Sequence, residues 1–109
     1  MEQTVSRGFE KRKRGTKRMI VKAKYMLWLA GKAGVKEEHF EVHEENITLG
    51  EFLKIISKRR PGIASYVDAI LSDRGEIIVL INGQTPQNGI ETKLRNGDEV
   101  VLIPPVSGG

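Results

Sequence analysis

Residues 98–109 read Asp98-Glu99-Val100-Val101-Leu102-Ile103-Pro104-Pro105-Val106-Ser107-Gly108-Gly109, an apolar strand that runs into two prolines and then two glycines. Proline has no amide donor and fixes φ, so Pro104-Pro105 predicts an end to sheet pairing and a stiff, extended exit from the body. Glycine has no Cβ, so Gly108 and Gly109 suit a channel too narrow for any other residue. From Val106 onward the extended chain reaches about 13 Å at roughly 3.3–3.6 Å per residue. That reach lets a terminal carboxylate enter a partner's active site while the body docks outside. A frayed end would fade through polar residues, whereas this strand passes directly into Pro-Pro-Val. The expected reactive group is therefore the Gly109 α-carboxylate, with Gly108, Ser107, Val106 and Pro105 lying in the partner's channel.

Working back from that stretch, the Asn96-Gly97 pair predicts the turn before the last strand, and Asn82-Gly83 and Asn88-Gly89 predict two earlier ones. Ile77 to Ile81 is an unbroken Ile, Val and Leu run, the pattern of a strand buried on both faces in the middle of a sheet. Thr48-Leu49-Gly50-Glu51 has capping-box spacing, so a helix is predicted from Leu49. Leu49, Phe52, Leu53 and Ile56 form its single apolar stripe, and Pro61-Gly62 ends it. Ile63, Tyr66, Val67, Ile70 and Leu71 repeat helical spacing before a turn at Asp73-Arg74-Gly75.

At the front of the domain, Met19, Val21, Ala23 and Tyr25 alternate with their neighbours as a half-buried strand does. Leu27 to Ala33 reads as a short helix or turn closed by Gly34, and Phe40 and Val42 mark a second strand, antiparallel to the first. The predicted order is strand, strand, helix, strand, short strand or loop, strand. This is an α+β roll with a mixed sheet and one main helix packed across it. The last strand belongs beside the first, and the helix-to-sheet seam is the core. Truncating Leu102 or Phe52 to Ala is expected to cost about 2–5 kcal/mol.

The chain has 109 residues, enough for one domain, and a net charge of +4. The charge is concentrated in residues 1–18, where Arg7, Lys11, Arg12, Lys13, Arg14, Lys17 and Arg18 face only Glu2 and Glu10. This extension reads as disordered and solubilising, and a nucleic-acid phosphate backbone is its alternative partner. The domain is taken as 19–105 and the flexible tail as 106–109. Cysteine is absent, which excludes disulfides, thiolate metal sites and a cysteine nucleophile on this chain. With no secretory h-region and no apolar run of spanning length, the expectation is a cytoplasmic chain with no membrane partner.

The order of elements, the Asn82-Gly83 turn, the stretch from Leu94 to Asp98 and above all the Pro-Pro-Val-Ser-Gly-Gly ending resemble the MoaD family, the small subunit of molybdopterin synthase, in the ubiquitin-like β-grasp superfamily. The resemblance covers about residues 19 to 109. It implies a sulfur carrier: a ubiquitin-activating-type enzyme uses ATP to adenylate Gly109, and a sulfur donor protein converts it to a thiocarboxylate. The large synthase subunit then receives the tail, and the sulfur builds the dithiolene that holds molybdenum or tungsten. On this reading the chain binds no cofactor, and the catalytic side chains, a lysine among them, sit on the large subunit. A carrier without cysteine also has no thiol to attack its own activated terminus.

Two other functions fit the same residues. The terminal carboxylate could be joined to target-protein lysines as a ubiquitin-like modifier, or the sulfur could serve thiamine or tRNA thiolation. In a third class, the basic arm leads an RNA-binding β-grasp module. His39, Glu41 and His43 share one strand face at a spacing compatible with a metal, but they read as a solvated face, so no metal is expected. No Gly-rich phosphate loop is present. Tyr25 reads as core; Trp28 is open between core and interface anchor. The exposed sheet face around the last strand is the expected docking surface.

Overall fold

The computed structural model describes residues 18–44 and 46–106. The expectations placed on residues 1–17 and on Ser107, Gly108 and Gly109 lie outside the described residues. Seven regular elements follow in chain order: β1 (Met19–Tyr25), α1 (Trp28–Ala33), β2 (Glu37–Val42), α2 (Leu49–Arg59), α3 (Ala64–Leu71), β3 (Ile78–Ile81) and β4 (Glu99–Ile103). Between β3 and β4 the chain runs as turns and a short 3-10 segment, Gly89–Glu91. The Asn82-Gly83 turn has positive φ at both residues, 53° and 81°, as a tight two-residue hairpin turn requires.

The sheet order is β2-β1-β4-β3. β1 pairs antiparallel with β2, placing Val21 opposite Phe40, and parallel with β4, placing Ala23 opposite Val100. β3 closes the other edge antiparallel to β4, with Ile78 opposite Ile103 and Val79 opposite Leu102. The last strand therefore lies beside the first, as its apolar density predicts. Its central place also fixes where the prolines leave the sheet.

The helix begins at Leu49 because both halves of its capping box form. The Thr48 hydroxyl accepts from the Glu51 amide at 3.2 Å, and Glu51 Oε1 accepts from the Thr48 amide at 2.9 Å. Its stripe of Leu49, Phe52, Leu53 and Ile56 meets Val21, Ala23, Phe40, Val100 and Leu102 from the sheet, and all nine are essentially excluded from solvent. Phe40 and Phe52 cross edge-to-face at 5.1 Å.

The far end of α2 is tied to the β1–β2 edge by a polar clasp. Arg60, its C-cap, donates to both oxygens of Glu38 at 2.7 and 2.9 Å, and the Tyr25 hydroxyl donates to Glu38 Oε2 at 2.7 Å. Arg59 stacks on the Phe40 ring, 4.3 Å from its centre. The Arg60 hydrogen bonds, and after them the Tyr25 hydroxyl, hold the Glu38 carboxyl below its usual range against the opposing effect of burial. Burial, then the hydrogen bond to Glu38, pushes the Tyr25 phenol up.

One expectation is corrected. The 77–81 run is neither central nor buried on both faces: the strand starts at Ile78 and forms an edge, where Ile78 is 57 % exposed. Val79 and Ile81 pack against the core, while Ile78 and Leu80 alternate to the opposite face. An apolar run predicts burial on both faces only if both faces are covered by the same chain, and here the helices cover one.

Candidate functional site

The site is built where β4 leaves the sheet. The Met26 amide donates to the Leu102 carbonyl at 3.0 Å, the last bond between the first and last strands. Ile103 still pairs with Ile78, and then Pro104 and Pro105 bring no further amide donors. Pro104 is buried, Pro105 is half-buried and Val106 is 86 % exposed. Of the tail residues predicted from sequence, Pro105 and Val106 thus lie at the exit; Ser107, Gly108 and Gly109 fall outside the described residues.

Beside the exit, the Trp28 indole N–H donates to the Pro105 carbonyl at 2.7 Å. Trp28 is the first residue of α1, half-buried, and its ring meets Tyr66 of α3 edge-to-face with centroids 5.4 Å apart at 64°. The Lys32 ammonium lies 6.0 Å from the same ring. Trp28, Tyr66, Gly75, Ile77 and Pro105 line an open groove of about 340 Å³. Leu27, just before the tryptophan, holds φ 52° and ψ −136°, a backbone region suited to glycine, and is 55 % exposed. Such strain in a non-glycine residue costs about 1–3 kcal/mol and persists only where its surroundings enforce it.

α1 itself is seated by a close approach that the sequence did not reveal. A Cβ built on Gly62 would collide with the Lys32 carbonyl oxygen and stand 3.2 Å from its carbon. Gly62 therefore does more than end α2: it lets the 3-10 turn Pro61–Ile63 lie directly against the helix that carries Trp28.

The sheet face away from the helices is divided. On the β3–β4 side Ile78, Leu80, Val101 and Ile103 form two cross-strand pairs, all at least partly exposed. On the β1–β2 side Lys22 reaches Glu37 at 3.4 Å and Glu99 at 3.6 Å, and Arg18 meets Glu41 at 2.8 Å. The sheet face around the last strand therefore carries an apolar patch that begins on the strand feeding the tail. His43 Nε2 stands 3.8 Å from Glu41 Oε1, whose other oxygen takes Arg18. Among the described residues, no three His, Cys, Asp or Glu side chains converge on one point. No helix among them is long and apolar enough to cross a membrane.

The model of the ThiS family matches residues 24–109, from the end of β1 through the terminal glycines. The chain belongs to the ThiS family. These are ubiquitin-like sulfur carriers. A relative from Archaeoglobus fulgidus, named for a sulfur-carrier role, is 29 % identical over 83 residues, covering 71 % of this chain and 91 % of that protein. SAMP1, the small archaeal modifier protein 1 of Haloferax volcanii, superposes with a TM-score of 0.68 at 29 % identity, over 83 % of this chain and 99 % of its own. Subunit 1 of a Pyrococcus furiosus molybdopterin converting factor gives 0.65 at 26 %, covering 81 % and 99 %. A chain from the Helicobacter pylori complex of subunits 1 and 2 of that factor gives 0.50 at 25 %, covering 84 % and 100 %. This ThiS-family chain thus has the ubiquitin-like β-grasp fold, with its mixed four-stranded sheet and main helix across one face.

Proposed function

We propose that this protein carries sulfur on Gly109 for the synthesis of the molybdopterin dithiolene. A carboxylate resists acyl substitution because its charge is delocalised and its leaving group is poor. A ubiquitin-activating-type partner removes that obstacle with ATP: a carboxylate oxygen attacks the α-phosphorus, pyrophosphate leaves, and an acyl-adenylate forms. Sulfide from a donor protein then adds at the acyl carbon, AMP departs, and the thiocarboxylate remains. Its sulfur is a good nucleophile on a tether, delivered within the large synthase subunit to a pterin precursor. This chain contributes positioning; ATP and the catalytic side chains belong to its partners, and the proposed setting is the cytoplasm.

The observation that carries the reading is the exit itself. A strand at the centre of the sheet ends on a buried Pro104, and two residues later Val106 stands 86 % exposed. The neighbouring apolar face of Ile78, Leu80, Val101 and Ile103 offers the body a place to dock while the tail reaches away. A second reading, conjugation to protein lysines, is favoured by the likeness to SAMP1.

Intact mass of the chain from its own cells separates these. The expected result is a species in which one terminal oxygen is replaced by sulfur, absent when Gly109 is deleted. Adducts that retain Gly109 in an isopeptide bond would instead establish the modifier. A mass unchanged in the presence of the adenylating enzyme, ATP and sulfide overturns the carrier proposal.

A further inference from the structure

We infer that Trp28 is a positioning residue for the tail: its indole N–H clamps the Pro105 carbonyl and so fixes the point and direction from which the reactive end departs. The inference rests on the tail reading above and assigns this role to a residue 77 positions away in sequence.

With no amide donors at 104 and 105, the segment cannot be held by donating into a strand ladder, and its carbonyls are the groups left to grip. The Pro105 carbonyl is met at 2.7 Å by an indole N–H, a donor with no acceptor function to distract it. The indole is itself held. Tyr66 stands edge-on to it at 5.4 Å, α1 is seated against the Pro61–Ile63 turn through Gly62, and Leu27 takes up a positive φ immediately before it. A tryptophan kept only for burial needs neither the strained residue ahead of it nor its N–H aimed at the one segment that has no donors of its own. Beyond this bond Val106 is exposed, so the clamp is the last fixed point described before the tail.

A clamped root lowers the ordering cost of threading the tail into an enzyme and leaves the chemistry of the inserted carboxylate untouched. Its loss should therefore appear in KM and not in kcat. Trp28→Phe keeps a ring against Tyr66 and removes the N–H. In ATP–pyrophosphate exchange catalysed by the adenylating enzyme of the source cells, the expected outcome is a KM for the carrier raised about 3- to 10-fold, the factor that one hydrogen bond supports, at unchanged kcat. In parallel, NMR of the free full chain should show a slowly exchanging indole N–H in the wild type. In the variant the Val106 amide should gain fast motion while the β1 and β4 amides keep their protection. An unchanged KM, or equal Val106 relaxation in the two proteins, overturns the clamp. Failure of the wild type to support any exchange counts against the carrier proposal, and the relaxation comparison still decides the clamp.

Discussion

Two glycines near α1 make opposite predictions when each is changed to alanine. At Gly62 a new Cβ would collide with the Lys32 carbonyl oxygen, which is backbone and cannot rotate away. Either the turn or α1 must move, a form of overpacking that costs about 1–3 kcal/mol. At Gly31, inside α1, a Cβ meets nothing within 4 Å. There alanine removes glycine's backbone entropy in a helix and should stabilise by about 0.5–1 kcal/mol. For a domain of this size 1 kcal/mol moves Tm by roughly 4–8 °C. Gly62→Ala should therefore lower the midpoint by about 5–20 °C, and Gly31→Ala should raise it by a few degrees. Urea melts at fixed m-value check both. The Gly62 variant should also broaden or shift the Trp28 indole resonance, because the helix carrying it is the part displaced. A Gly62→Ala midpoint equal to wild type would refute the claim that close approach, and not merely helix termination, selects glycine there.

Two further predictions address the docking face and the clasp. Ile78→Glu places a charge on a residue already 57 % exposed, so Tm should stay within about 2 °C, while the carrier's KM with its adenylating enzyme rises at least tenfold if this face docks; steady-state kinetics beside a thermal melt tests it. Glu38 has a depressed folded-state pKa, so its stabilisation is present above the unfolded value of about 4.3 and is lost as pH falls through the lower folded value. Tyr25 has a raised one, so its stabilisation is present below about 10 and is lost as pH climbs through the higher folded value. Glu38→Gln should melt earlier than wild type near neutral pH, and the gap should narrow as pH falls below the unfolded value and close as it passes through the lower folded one, as read by melts across a pH series.

The parts legible in the sequence are those whose cause is local. The capping box at Thr48 and Glu51 spans three residues, and Gly34 closes α1 through a bond to Ala30, four residues back. The stripe of α2 and the alternation of β1 are periodicities imposed by backbone geometry itself. The exit at Pro104-Pro105 follows from a missing donor, which needs no partner to be known. So the order of elements, the helix-to-sheet core and the place where the chain leaves the sheet could all be read in advance.

What the chain alone left open depends on which segments meet. Ile77–Ile81 has the composition of a central strand, and only the β2-β1-β4-β3 order makes it an edge and turns Ile78 and Leu80 into a surface. Trp28 stood between core and interface until folding brought its N–H to a carbonyl 77 residues away. Gly62 read as a helix stop, and the close approach of Lys32 gave it a second reason. Backbone preference acts over a few residues and is written in them. Pairing order and close approach arise from the chain returning on itself, so they belong to the tertiary structure.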